Sequence, residues 1–95
     1  MHQPEISVVI PAYNAEKTLE KCLRSVLAQS YEHYEVIIVD NSSTDRTREI
    51  IESWGWKDKR IQYVFEPQRG RGIARNRGIE RASGEIIAMT DADCI

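Results

Sequence analysis

The chain has 95 residues, of which 41% are hydrophobic and 29% charged, so residues 1–95 form one small domain or part of a larger one. Its 13 basic and 15 acidic residues leave a net charge of −2, which gives no general attraction to nucleic acid, and no apolar run approaches the roughly 18 residues of a membrane span. The two cysteines, Cys22 and Cys94, have neither metal-ligand nor disulfide-scaffold spacing, so we expect a reducing, cytoplasmic setting.

Four short apolar runs predict β-strands at residues 6–10, 35–39, 61–65 and 85–90. The first, second and fourth runs are almost continuously apolar, which is typical of strands covered on both faces. We therefore expect these three strands to be parallel and central.

Three helical stretches separate the strands, and Asn14 is a candidate N-cap for the first. The third runs roughly over residues 72–83, where Gly78 weakens the helix and so indicates close packing. The predicted inward-facing residues are Leu19, Cys22, Leu23, Val26 and Leu27 in the first helix, Ile50, Ile51 and Trp54 in the second, and Ile73, Ile79 and Ala82 in the third.

The element order β-α-β-α-β-α-β predicts an α/β fold, because right-handed crossovers place helices on both faces of a parallel sheet. Such sheets bind ligands at the carboxyl ends of their strands. Most of the informative polar residues follow strands and would meet at that edge.

Asp91 and Asp93 close the fourth strand, and residues two apart in extended chain project to the same side at a spacing of roughly 6.6 Å. Their carboxylates could share one hard cation such as Mg²⁺ or Mn²⁺. Read alone, such a pair more often forms an ordinary solvated turn after a strand.

Asp40 and the segment Pro11, Ala12, Tyr13 and Asn14 follow the second and first strands. Asp40 could accept from a nucleobase or ribose, or only from the backbone of its own turn. The segment could form a ledge for a planar base, or only a turn.

Five arginines lie between Arg69 and Arg81 in a stretch that also contains glycines and opens the third helix. A helix start with Arg69, Arg71 and Arg75 nearby suits a diphosphate, although the spacing is that of neither a dinucleotide fingerprint nor a P-loop. A solvated basic face remains the alternative, and we assign Arg77 and Arg81 to it.

Taken in order, P-A-Y-N, V-D-N-S-S-T-D, R-G-R-G-I-A-R-N-R-G and A-S-G-E-I-I-A-M-T-D-A-D resemble the start of the family 2 glycosyltransferases with the GT-A fold. The resemblance covers essentially the whole chain. It implies the Rossmann-like half of a GT-A domain, and we expect the strand order 3-2-1-4. The sequence departs from the family pattern at Asn41, where a second Asp is frequent, and at Gln68, where Asn is common.

The resemblance also implies roles for individual residues. Asp93 would contact the divalent metal, Mn²⁺ or Mg²⁺, and Asp91 the ribose or the metal. Arg69 and Arg71 remain the diphosphate candidates. The implied nucleotide-binding positions are Pro11, Ala12, Tyr13, Asp40, Arg75 and Asp91.

The implied reaction transfers a sugar from a nucleoside-diphosphate donor, UDP-linked, to an acceptor hydroxyl on a glycan, lipid or polyol, with inversion. The resemblance places the general base beyond the D-x-D motif, so no catalytic residue is assigned and the chain alone is expected to bind donor without transferring it. Uncovered faces predict self-association, and any membrane contact would come from parts outside the chain.

Two other functions remain open. A nucleotidyltransferase would also combine carboxylates, a metal and a nucleotide, but should carry a lysine-bearing glycine-rich loop after its first strand. A non-catalytic binding or assembly module would fold without recognising nucleotides.

Overall fold

The structure is a computed structural model, and it describes residues 4–28 and 33–92. Four strands alternate with three helices, as the sequence predicts. In chain order they are β1 (Ile6–Ala12), α1 (Leu19–Leu27), β2 (Tyr34–Asp40), α2 (Thr47–Lys57), β3 (Ile61–Phe65), α3 (Arg71–Arg81) and β4 (Ile86–Met89).

The strands form one parallel sheet in the order β3-β2-β1-β4, which confirms the predicted topology. Ile6 of β1 lies opposite Tyr34 of β2 on one side and Ile86 of β4 on the other. Because the chain steps outward from β1 to β3 and then returns past β1 to β4, the order of strands reverses between β1 and β4. In open α/β sheets this reversal is where ligands bind.

Helices cover both faces of the sheet, as predicted. On one face, α1 and α2 pack on alternate residues of β1 and β2, including Ile10, Val36 and Ile38. On the other face, Ala74 of α3 packs in one cluster with Ile37, Val39 and Val64 of the sheet. All seven residues of β2 are buried, which confirms that it is a central strand.

The inward faces of α1 and α2 agree with prediction, and Ala82, directly after α3, packs against the core as predicted. The inward face of α3 itself differs from the prediction. Its buried residues are Ala74 and Gly78, while Ile79 is 42% exposed. A Cβ atom on Gly78 would lie 2.3 Å from Cγ1 of Val9, so the predicted close packing is present. The helix approaches the sheet through its smallest side chains, and the larger apolar residues lie beside this contact.

Two other local predictions were wrong. Helix α1 begins at Leu19 after Thr18, so Asn14 is not its N-cap. Strand β4 is parallel but lies at an edge of the sheet, where Ile86, Ile87 and Met89 are exposed. The expected uncovered apolar surface is therefore present, and self-association through it stays a prediction. None of the helices in the described ranges is both long enough and apolar enough to cross a membrane.

Candidate functional site

A cavity of about 640 Å³ opens at the carboxyl edge of the sheet, beside the reversal between β1 and β4. Its walls come from the loop after β1, the loop before α3 and the residues that follow β4. The predicted site residues that line it are Pro11, Ala12, Tyr13, Arg69, Arg71 and Asp91. Topology thus brings together residues up to 80 positions apart in the sequence.

Asn14 joins the loop after β1 to the loop after β2. Its backbone is in the left-handed region at φ 48°, and its side-chain oxygen accepts from the backbone N–H of Thr44 at 2.7 Å. Its own N–H donates to Oγ of Ser43 at 2.9 Å. Asparagine adopts this backbone region more readily than most residues. The segment that carries Tyr13 is therefore held in place by hydrogen bonds across 29 or 30 residues of sequence.

The loop of residues 66–70, which presents Arg69 to the cavity, is fixed by Asn41. The Asn41 side-chain nitrogen donates to the carbonyls of Glu66 at 3.1 Å and Gln68 at 2.8 Å. Its side-chain oxygen accepts from the N–H of Gly70 at 3.0 Å. One buried amide therefore contacts three points of the loop.

Glu66 secures the other side of the same loop. One of its carboxylate oxygens accepts from the N–H of Gln68 at 2.9 Å, and the other from Nε of Arg77 at 2.9 Å. The bond from the Gln68 N–H, followed by the bond from Arg77, lowers the pKa of Glu66 below its ordinary value. Arg77 was predicted to lie on a solvated basic face, and it is exposed there, but it also forms an ion pair with the buried Glu66 carboxylate that the sequence did not indicate.

Tyr13 and Arg69 contact each other at the mouth of the cavity. The Arg69 guanidinium carbon lies 3.4 Å from the centroid of the Tyr13 ring, and 44% of Tyr13 is exposed. This is a stacked cation–π contact. The Tyr13 ring thus serves as a platform for a planar group, here the guanidinium group of Arg69.

Asp40 has a different position from the other predicted nucleotide residues, because it is buried and does not line the cavity. Its oxygens accept from the N–H of Ser43 at 3.0 Å and from the Tyr63 hydroxyl at 2.7 Å. Burial, followed by the hydrogen bond to Asp40, raises the pKa of Tyr63. The bond from Ser43 is the one that the turn interpretation predicts, the bond from Tyr63 on β3 is additional, and the nucleotide role of Asp40 stays a prediction.

Asp91 lies at the cavity on backbone fixed by α1. Cys22 Sγ donates to the Asp91 carbonyl at 3.4 Å, and Thr18 Oγ1 donates to the Ala92 carbonyl at 3.2 Å. The Asp91 side chain is exposed. Arg75 is also exposed, on α3, but does not line the cavity.

Asp93, the predicted metal ligand, lies outside the described residues, as does Cys94. Within residues 4–28 and 33–92, no three carboxylate, histidine or cysteine side chains cluster as a metal site would. Asp91 supplies an oxygen donor at the cavity, which is the donor type that Mg²⁺ and Mn²⁺ prefer. The side chain that is described therefore fits such an ion.

Comparison with known protein families gives a match that covers most of the chain. The family described as Glycosyl transferase family 2 matches residues 7–95. The chain belongs to this family. A family relative, the putative teichuronic acid biosynthesis glycosyltransferase TuaG of Bacillus subtilis (strain 168), is 45% identical over 92 residues. That match covers 96% of this chain and 36% of the relative, so the chain spans about a third of the length of that relative.

Two solved structures share this fold. S. aureus TarS 1–349 in complex with UDP superposes with a TM-score of 0.87 at 32% identity, covering 94% of this chain and 27% of that one. The mannosyltransferase PcManGT from Pyrobaculum calidifontis, in complex with GDP-Man and Mn²⁺, gives a TM-score of 0.88 at 33% identity. This match covers 98% of this chain and 28% of the PcManGT chain.

Sequence reasoning missed Asn41 and Glu66 as residues that shape the site. Asn41 was noted only as a departure from the family pattern, and Glu66, which directly follows β3, was given no role. Asn41 directly follows a buried strand, where a short side chain that bonds to backbone is common. Its partners lie 25 to 29 residues further along the chain, so no local pattern indicates them.

Proposed function

We propose that the protein to which this chain belongs transfers a sugar from a nucleoside-diphosphate sugar to an acceptor hydroxyl, and that this chain binds the donor. The observation that carries the proposal is the cavity at the strand reversal, which has an exposed aromatic ring, two arginines, a lysine and three carboxylates on its walls. A nucleoside diphosphate needs these groups: a flat surface for its base and cations for its phosphates.

UDP is the nucleotide that we propose, with the base on Tyr13 and the backbone of Pro11 and Ala12 beside it. Arg69 and Arg71 face the diphosphate, and Asp40 and Arg75 stay proposed nucleotide contacts. The complexes of relatives with UDP and with GDP-Man support a nucleotide-sugar donor. They also make GDP the natural competitor in any binding test.

Asp91 and Asp93 are the residues that we propose to hold a divalent metal, Mn²⁺ or Mg²⁺. When bound, such an ion supplies positive charge next to the diphosphate leaving group. The Mn²⁺ complex of PcManGT supports the presence of a divalent metal.

In the proposed reaction, an acceptor oxygen forms a bond to the anomeric carbon as the bond from that carbon to the diphosphate breaks, with inversion. The leaving nucleoside diphosphate takes the bonding electron pair, and the guanidinium groups of Arg69 and Arg71 stabilise its growing negative charge. The acceptor proton passes to a general base. We propose that this base lies outside these 95 residues, so that the chain alone binds donor without transferring it, and that the protein works in the cytoplasm.

Calorimetric titration with UDP, with and without Mn²⁺, tests the proposal. We expect binding that Mn²⁺ strengthens, loss of that strengthening in Asp93→Ala, and weaker binding with or without the ion in Asp40→Ala. Glu80→Ala, which removes an exposed carboxylate from α3, is the control and should bind as the unmodified chain does.

Three results would contradict parts of the proposal. Mn²⁺-dependent binding that survives Asp93→Ala would remove the metal assignment. A preference for GDP over UDP would overturn the base but leave the donor class intact. A folded chain that binds neither nucleotide would favour a non-catalytic assembly module.

A further inference from the structure

Arg69 covers the face of Tyr13 on which the proposed function requires a nucleobase to lie. The guanidinium carbon is 3.4 Å from the ring centroid, which is the separation of two stacked planes. Both residues line the cavity. A planar base approaching this ring face would meet the guanidinium group first.

The Arg69 side chain is free to leave the ring without moving its backbone. Gly70 is held through its N–H by Asn41, and Gln68 through its N–H by Glu66. In contrast, the exposed guanidinium group forms no ion pair with any carboxylate of the described ranges. Among the described residues, the stacked contact with Tyr13 is therefore the interaction that the Arg69 side chain would give up when it leaves the ring.

We propose that Arg69 occupies the base platform in the empty site and exchanges with the base when a nucleotide enters. This inference rests on the proposed function. A guanidinium group and a nucleobase are both flat and both stack on a tyrosine ring, so they compete for the same face. The displaced guanidinium gains a stronger partner in the diphosphate, which accepts two charge-assisted hydrogen bonds from it. Arg69 thus favours ligands that bring both a base and a diphosphate over a nucleoside alone.

Binding of uridine and of UDP to Arg69→Ala and to the unmodified chain tests the exchange. Exposed cation–π contacts are weak, so freeing the ring should strengthen uridine binding about two- to fivefold. Loss of the arginine should weaken UDP binding by about tenfold, because a charge-assisted contact to phosphate disappears. The ratio of the UDP affinity to the uridine affinity, measured by NMR titration, should therefore fall well over tenfold.

Arg71→Ala is the matched control, since Arg71 lines the same cavity. It should weaken UDP binding without strengthening uridine binding. An NMR signal reports the stack itself: the side-chain protons of Arg69 should show an upfield ring-current shift that Tyr13→Leu abolishes and that UDP removes.

The ways in which the exchange can fail are distinguishable. If UDP binds but Arg69→Ala leaves uridine binding unchanged or weaker, Arg69 supports the base instead of yielding to it, and the exchange is wrong while the proposed function stands. A ring-current shift that persists in saturating UDP leads to the same conclusion. If the shift is present and neither ligand binds any variant, both the nucleotide site and the exchange are overturned.

Discussion

Asn41 performs a task that an aspartate of the same shape could not. Two of its three contacts to the loop of residues 66–70 are donations from the side-chain nitrogen to carbonyl oxygens. A carboxylate would place a negatively charged oxygen against both carbonyls and keep only the bond from the Gly70 N–H. The family pattern at this position, where Asp is frequent, therefore cannot be transferred to this loop without changing it.

Asn41→Asp should release the loop and misplace the arginine that it carries. The Gln68 carbonyl would lose its side-chain donor and the Glu66 carbonyl would keep only the bond from Ser42 Oγ. We expect this loss to cost about 1–3 kcal/mol and UDP binding to weaken roughly tenfold. Hydrogen exchange at the Gly70 amide, followed by mass spectrometry, should accelerate even without ligand. The same chemical change at an exposed position, Asn76→Asp, is the control and should alter neither quantity. Unchanged protection of Gly70 in Asn41→Asp would show that the amide does not hold the loop.

Sequence alone located the residues whose chemistry is evident from type and place, such as Tyr13, Arg69 and Asp91. Each follows a strand or precedes a helix, so the topology brings it to the cavity edge. The sequence did not reveal which carboxylates already have hydrogen-bond partners within the protein. Asp40 and Asp91 both follow strands, yet Asp40 is buried under Tyr63 and Asp91 is exposed. That difference depends on neighbours far along the chain.

Among the elements, α3 shows where hydrophobic periodicity fails. The pattern of large apolar residues predicted an inward face containing Ile73 and Ile79, but the buried positions are Ala74 and Gly78. Small residues allow the helix axis to lie closer to the sheet. A prediction that places the largest apolar residues inward therefore selects the wrong face of a helix when small residues let that helix lie close to the sheet.

Gly78→Ala should destabilise the protein although alanine is the better helix former. The added methyl would lie 2.3 Å from Cγ1 of Val9 and 3.1 Å from Cγ2 of Val39, and short branched side chains cannot swing away. Overpacking of this kind typically costs about 1–3 kcal/mol, which outweighs a gain in helix propensity of about 1 kcal/mol. Urea denaturation should show a lower free energy of unfolding.

Gly72→Ala is the matched control in the same helix, because nothing lies within 4 Å of its added Cβ atom. It should leave stability unchanged or raise it. Val9→Ala should also cost less in the Gly78→Ala background than in the unmodified chain, since it removes the clashing atom. Equal stability of the two glycine variants would contradict the close-packing interpretation.

For the whole molecule, the order of elements determined the architecture. Alternating strands and helices, with right-handed crossovers, led to the parallel sheet and the layers on both faces. The hydrophobic pattern alone predicted a central β4, because its apolar run resembles that of the buried β2, whereas the strand order implied by the family resemblance placed it at the edge where it lies. The hydrophobic pattern could not show the polar cluster that joins the sheet at the end opposite the cavity.

Glu35 is the centre of that cluster and connects three strands to the segment between α3 and β4. Its carboxylate accepts from Ser7 Oγ on β1 at 2.6 Å, from Gln62 Nε2 on β3 at 2.7 Å and from the Ser83 N–H at 2.8 Å. Burial raises the pKa of Glu35, but these hydrogen bonds together bring it below its ordinary value of 4.5. The charged form is therefore the one that the folded state favours.

Since the folded-state pKa is lowered, the stabilisation by Glu35 is complete above the pKa of the unfolded chain and is lost as the pH falls through the folded-state pKa. Glu35→Gln should lower the free energy of unfolding by roughly 1–3 kcal/mol at pH 7, because an amide cannot accept from all of these donors. The difference between the variant and the unmodified chain should shrink below about pH 4.5, in urea denaturation at pH 7, 5, 4 and 3. Glu80→Gln on exposed α3 should shift stability by less than about 0.5 kcal/mol at every pH. A difference for Glu35→Gln that stayed constant into acid would show that its carboxylate charge does not stabilise the sheet.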